Sequence, residues 1–275
     1  AVLASEGWFN ALYDDTVVDE PAQALRREAA QVLSSEQAFL SDDFGFNVLE
    51  GSGLQGVHAL YQEFRRALGQ ATANRCKGAV GQARDDLETL QKALSDLTTW
   101  PLHAVGRVGE ALQDLAMAQA LSFKVLALEQ RELRLGAIEH AQKAWSIAFE
   151  AGQPRLQAYA LFEMVTLHCH AQEAALALVA ASQLLRICQA LPRGRALEGR
   201  AWLQLAHARH LSGMLLDALQ AAMRSQTIFR ELGLSGELTL ALVAAAEIHL
   251  GRGRASKAME LAQNAVSISS AMPVV

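Results

Sequence analysis

Apolar residues recur at every third or fourth position along most of the chain from residue 54 onward. The first run predicts a helix whose buried face carries Leu54, Val57, Tyr61, Phe64 and Leu68. A second helix is predicted over residues 74–97, so that 54–97 forms a helical hairpin, either a divergent repeat or a cap. The pattern breaks at "LTTWPLH", because the residue before Pro101 disfavours α-helical geometry. We therefore place a boundary near 98–104.

Residues 1–53 have a weaker pattern. Pro21 suits the first position of a helix, and a broken apolar stripe after it predicts one helix over 21–39. The rest of this segment contains acidic pairs and is predicted to be irregular.

The chain repeats itself between residues 106 and 272. Three segments, "RLGAIEHAQKAWSIAFEAG", "LSGMLLDALQAAMRSQTIFRELG" and "LGRGRASKAMELAQNAVSISSA", each place a glycine five residues before a small residue. These pairs are Gly136 and Ala141, Gly213 and Ala218, and Gly253 and Ala258. A glycine permits a tight turn and small residues allow close helix approach, so the pattern predicts antiparallel helix pairs. We assign a further copy to 155–191, in which Glu173 replaces the turn glycine and Leu178 replaces the alanine.

The repeat resembles the tetratricopeptide repeat family, in its longer variants of about 40 residues. Four units are assigned, at 106–152, 155–191, 196–233 and 236–271. The resemblance implies an all-α fold: an α-solenoid of antiparallel helix pairs, with a divergent helical N-terminal region.

The resemblance also implies that the first helix of each pair lines a concave groove, which holds an extended or helical peptide. The groove-facing candidates are Gln130, Glu163, His170, Arg200, Leu203, His207, His210, Val243 and Glu247, with Leu126, Leu133, Leu167 and Leu250 beside them. Chaperone-binding members of the family use a Lys/Asn clamp for a terminal carboxylate. The corresponding positions here carry Leu126, Glu163, Leu203 and Val243, so that clamp is not expected.

Two histidine-containing stretches were considered as metal sites. In "TLHCHAQE", His168 and His170 are two residues apart, so on a helix they point about 200° away from each other and cannot chelate one ion. In "AHARHLSG", His207 and His210 share a face, but no carboxylate completes an H-E-x-x-H pattern. We interpret His170, His207 and His210 as groove-lining histidines and predict neither a metal nor a cofactor.

Gly51, Gly53 and Gly56 match the G-x-G-x-x-G fingerprint of dinucleotide-binding proteins. That fold needs a second strand after the helix, whereas "LGQATANR" leads into another helix. Ser52 and Gln55 fit a capping box instead, so the motif is interpreted as a helix start. The sequence contains no G-x-S-x-G, P-loop or paired-carboxylate constellation, so we predict that the protein is not an enzyme.

Composition narrows the class of protein. Hydrophobic residues make up 51% and charged residues 19%, which is typical of a folded globular chain, and the net charge of -5 argues against a general nucleic-acid binder. The 3 widely spaced cysteines are typical of reduced thiols. No run is long enough to span a bilayer and no signal peptide is evident. The predicted location is intracellular, cytoplasmic by default, or an organelle lumen or matrix after removal of a targeting segment.

The sequence thus predicts a non-enzymatic protein-protein interaction scaffold, a subunit of a larger multiprotein assembly that binds a partner segment along its groove. Two alternatives stay open. One is a regulatory protein that senses a ligand or peptide, and the other is a nucleotide-dependent enzyme that uses the 51–56 glycine loop. The oligomeric state stays open as well.

Overall fold

A computed structural model describes residues 52–76, 80–99, 102–127 and 130–270, and within these ranges all regular structure is helical. The α-helices in this part of the chain are α1 Ser52–Cys76, α2 Val80–Thr98, α3 Leu102–Ala127, α4 Arg134–Glu150, α5 Pro154–His170, α6 Ala174–Ala190, α7 Arg195–Leu211, α8 Leu215–Leu232, α9 Ser235–Gly251 and α10 Ala255–Ser270. A 3-10 turn, Arg131–Leu133, precedes α4. The prediction of an all-α fold built from contacting neighbouring helices is confirmed. The helix predicted over 21–39 lies outside the described residues.

The first two helices differ from the prediction at their ends. Helix α1 continues to Cys76, and α2 begins at Val80 rather than near residue 74. The apolar period did not locate this break, because residues 70–76 include alanine, glutamine and arginine, which are good helix formers and extend α1. The predicted boundary near 98–104 agrees with the end of α2 at Thr98.

The described residues divide into two compact units, 52–163 and 164–270. In the first, α1 packs against α2 and α3, and α3 packs against α4. Its core contains fully buried side chains from three helices, among them Tyr61, Phe64, Leu90, Leu97 and Leu112. The Gln113 side chain donates a 2.7 Å hydrogen bond to the Leu97 carbonyl, which satisfies one of the carbonyls left open at the end of α2.

In the second unit, residues 164–270, the helices from α6 to α10 pack in succession, and α7 also contacts α9. One core cluster joins α7, α8 and α9 through Leu203, Phe229, Leu238 and Leu242. Gly199 makes close packing possible, because a Cβ there would lie 2.7 Å from Phe229 Cε1. A glycine at this position therefore brings α7 directly against α8.

Four alanines occupy the same place in the first turns of the second helices. They are Ala137 in α4, Ala177 in α6, Ala218 in α8 and Ala258 in α10, and all are buried. Their small side chains let each helix approach a neighbour closely. This regularity supports the predicted role of small residues in the repeat.

The turn glycines are only partly where the sequence placed them. Gly213 and Gly253 have φ angles of 75° and 70°, as a tight turn requires. Gly136 was wrongly assigned to a turn: it lies inside α4, because a 3-10 turn makes the connection before it. In the unit at 155–191, Gln172 takes the left-handed conformation, with φ 61°, rather than Glu173.

The correction at Gln172 also shifts the repeat register by one residue. Gln172 precedes Gly213 by 41 residues, whereas Gly213 precedes Gly253 by 40. The buried alanine of this unit is consequently Ala177 and not Leu178, which is only partly buried. The unit that looked degenerate in sequence therefore keeps the alanine of the others.

Candidate partner-binding surface

Helix α7 leaves one stripe of side chains partly exposed. Arg200, Gln204, His207 and Leu211 are spaced by four, three and four residues, so they follow one face of the helix. The residues between them that are buried are Ala201, Trp202, Leu203, Leu205, Ala206 and Ala208. Near the end of α7, Arg209 and His210 are partly exposed as well.

Helix α9 carries a similar stripe. Leu240, Val243 and Glu247 are partly buried, and Leu250 is exposed, with spacings of three, four and three residues. Because α7 and α9 contact each other, the two stripes lie on neighbouring first helices. We call them together the first-helix surface, which consists of Arg200, Gln204, His207, Leu211, Leu240, Val243, Glu247 and Leu250.

An ion pair joins α7 and α9 at one end of this surface. Arg200 Nη2 donates a 2.9 Å hydrogen bond to Glu237 Oε1, and the two side chains are only 13% and 7% exposed. Glu237 lies in the first turn of α9, where a carboxylate is also favoured by the helix dipole. If α7 slid along α9, both charges would be left buried and unpaired, which is strongly destabilising. The ion pair therefore favours a single register between the two helices.

At the other end, a histidine of α7 lies against the backbone of α9. A Cβ on Gly251 would be 3.3 Å from His210 Nε2. Burial lowers the pKa of His210, and burial and His210 together lower the pKa of His207 to about 4. Both rings are therefore neutral near pH 7 and offer one hydrogen-bond donor and one acceptor each.

Glu247 lies one turn before Gly251 on the same face of α9. Its Oε1 atom is buried and has no hydrogen-bond partner among the described residues. Burial raises the pKa of Glu247 to about 8. Near pH 7 this carboxyl is therefore mostly protonated, which is unusual for a glutamate at a protein surface.

The structure distributes the predicted groove residues over several places. Arg200, His207 and Glu247 lie on the first-helix surface, with Val243 partly buried beside them and His210 next to Gly251. Leu203 lies in the core cluster, so its side chain contributes to packing.

The three remaining predicted residues lie elsewhere. Gln130 lies in the connection between α3 and α4, where its carbonyl accepts from the Leu133 amide. Glu163 and His170 are partly buried on α5.

Gln204, Leu211 and Leu240 belong to the surface but were not among the predicted residues. Their signal in the sequence is the continuous spacing of three and four residues with Arg200 and His207 on α7 and with Val243 and Glu247 on α9.

The residues considered for metal binding have other contacts. His168 Nδ1 lies 2.6 Å from Glu173 Oε2. Within the described ranges, no three His, Cys, Asp or Glu side chains are grouped so that they could hold a metal ion. Burial raises the pKa of Cys169 and of Cys188 to about 12, the latter with a further contribution from Glu198, so both thiols stay protonated.

Two of the glycines in the 51–56 motif, Gly53 and Gly56, lie within α1. The described part of the chain contains no strand, which the dinucleotide-binding fingerprint requires on both sides of its helix. None of the described helices has the length and apolar character needed to cross a membrane.

A comparison with models of protein families finds none that matches the chain, and a comparison with curated proteins finds no significant relative. The arguments for function therefore depend on the surface itself.

Proposed function

We propose that the protein is a non-enzymatic interaction scaffold of the tetratricopeptide-like type, and that it serves as a subunit of a larger assembly. The first-helix surface binds a segment of a protein partner. The observation that carries this proposal is the pair of partly exposed stripes on the contacting helices α7 and α9, in which Arg200 corresponds to Leu240 and His207 to Glu247 at the 40-residue repeat.

The chemistry of the surface supports a peptide ligand. Leu250, which is 56% exposed, supplies an apolar contact on α9, and Leu240 and Val243 beside it are partly buried against the core cluster. Gln204, His207 and Glu247 supply polar groups beside them. Apolar anchors with a polar surround are the usual composition of a protein-protein interface.

The Arg200–Glu237 ion pair supports the same proposal by joining the two helices of the surface. A surface that is already ordered loses less conformational entropy when a partner binds. We also propose an intracellular location, in keeping with the few and widely spaced cysteines.

Site-specific photocrosslinking tests this function. A photoreactive amino acid replaces Gln204 on the first-helix surface, and a matched variant carries it at Gln220, which is exposed on α8. In extract of the source cells, the Gln204 variant is expected to form discrete adducts with one partner, and the Gln220 variant is not. Equal labelling at both positions, or labelling at Gln220 alone, contradicts the proposed surface.

A further inference from the structure

Glu247 differs in kind from the residues at the equivalent positions of the other units. The corresponding residue of α7 is His207, 40 residues earlier, and that of α5 is Thr166, a further 41 residues earlier. The repeat geometry therefore does not require a carboxyl group here. An acidic side chain that α5 and α7 lack at this position points to a role in recognition rather than in the packing of the repeat.

The surroundings of Glu247 offer its charge no compensation. Burial is the sole cause of its raised pKa, and no charged group of the described residues contributes to it. The nearest cation on the first-helix surface, Arg200, is engaged with Glu237. The histidines of α7, His207 and His210, are neutral near pH 7 because burial lowers their pKa values.

A buried carboxyl group without a hydrogen bond costs free energy in either protonation state, and the cost is larger when it is charged. A cation brought from outside removes this cost, because it pairs with the carboxylate and excludes water at the same time. An anionic or purely apolar ligand leaves the cost in place.

We propose that the first-helix surface recognises a basic side chain, lysine or arginine, of the partner segment, and that this side chain binds the Glu247 carboxylate. The inference rests on the proposed function. Val243 and Leu250 flank Glu247 at helical spacing and contact the apolar part of the segment.

The overall charge of the protein agrees with this ligand class. The net charge is -5, so the field of the whole chain favours the approach of a basic segment. Lysine and arginine also have aliphatic stems that can cover the apolar residues beside Glu247. A basic amphipathic peptide therefore combines both features that the surface provides.

A random peptide library displayed on phage is the probe. It is selected on the full chain, and the enriched peptides are synthesised and measured against the original protein, Glu247→Gln and the matched control Glu260→Gln. Glu260 is an exposed carboxylate on α10 that pairs with Lys257 outside the first-helix surface. Circular dichroism verifies that both variants fold.

The enriched peptides are expected to share a lysine or arginine at one position. Their affinity is expected to fall about 30-fold in Glu247→Gln, which corresponds to about 2 kcal/mol, and to stay unchanged in Glu260→Gln. Peptides that bind at Gln204, as judged by photocrosslinking, but show no shared basic residue or no loss with Glu247→Gln overturn this inference alone. A library with no peptide that crosslinks at Gln204 overturns the proposed function as well.

Discussion

Two partly buried glutamates, one in each unit, show how differently the same side chain is accommodated. Glu163 Oε1 accepts a 3.3 Å hydrogen bond from Gln119 Nε2, and Gln119 Oε1 accepts a 3.1 Å hydrogen bond from the Tyr61 hydroxyl. Burial raises the pKa of Glu163, but the Ser122 hydroxyl, Arg65 and Gln119 lower it again. Burial also raises the pKa of Glu247, and no neighbouring group in the described ranges lowers it.

The difference separates a structural carboxyl group from one that is available to a ligand. The Tyr61–Gln119–Glu163 network connects α1, α3 and α5, so its polar groups satisfy one another inside the unit. Glu247 Oε1 has no such partner in the described part of the chain. A network of this kind stabilises a fold, whereas an unsatisfied carboxyl group favours binding.

The largest expected effect comes from replacing each glutamate with methionine at pH 9. Glu247→Met is expected to stabilise the protein by about 3 kcal/mol, because it removes a buried charge without breaking a hydrogen bond. This value is reduced to allow for the partial exposure of the Glu247 side chain. Glu163→Met is expected to destabilise by about 2 kcal/mol, because Gln119 loses its acceptor. Urea unfolding followed by circular dichroism measures both.

The sign for Glu247 follows from proton binding. The unfolded carboxyl group ionises near 4.5 and the folded one near 8, so between these values the folded state holds a proton that the unfolded state has lost. Raising the pH through this window therefore lowers stability. Near pH 4.5 the gain from Glu247→Met should shrink to the smaller cost of burying the neutral carboxyl group, and a gain independent of pH would contradict the account.

The second effect tests the network directly. Gln119→Leu is expected to cost about 2 kcal/mol, because Tyr61 and Glu163 each lose a hydrogen bond. The matched control is Gln142→Leu, at an exposed position of α4, which should change stability by less than about 0.5 kcal/mol. Equal effects of the two substitutions would show that the network does not stabilise the unit.

The third effect concerns the stability of the folded protein below pH 7. The unfolded His207 ring gains a proton near 6.5, whereas burial keeps the folded ring neutral down to about 4. Lowering the pH through this window therefore costs stability, and His207→Gln is expected to recover about 2 kcal/mol at pH 4. Thermal unfolding from pH 4 to 7, with and without the His207→Gln substitution, measures this recovery. The comparison is made in the Glu247→Gln background, because the Glu247 carboxyl group titrates with the opposite sign between pH 4.5 and 8.

The smallest effect is at the contact between α7 and α9. Gly251→Ala places a methyl group 3.3 Å from His210 Nε2, which the flexible imidazole can avoid by turning towards solvent. Stability should change by less than about 0.5 kcal/mol, while the pKa of His210 rises towards 6.5. An NMR titration of the ring protons tests this. An unchanged pKa would mean that burial against Gly251 is not what lowers the pKa of His210.

The sequence predicted the features that depend on local geometry. Gly213 and Gly253 were identified because a turn with positive φ favours glycine, and Ala218 and Ala258 because close helix packing favours small residues. Gln172 was missed, since a glutamine in the left-handed region has no marker in the sequence.

The candidate site was predicted only in part, for two physical reasons. Leu203 and Val243 are equivalent positions 40 residues apart, but Leu203 is a buried member of the core cluster whereas Val243 is partly buried against it, a difference that the helical period does not encode. Contacts such as Gln119–Glu163 join residues far apart in sequence, so they depend on how whole helices pack.

The most direct test of the central claim is the pKa of the Glu247 carboxyl group in the free and the peptide-bound protein. Carbon-13 NMR of labelled glutamate, with Glu247→Gln for assignment, gives the value in both states. The account predicts about 8 in the free protein and a fall below about 5 when a peptide with a basic residue binds, because the cation favours the charged form. A pKa that stays near 8 in the complex would contradict the claim that Glu247 receives the partner's cation.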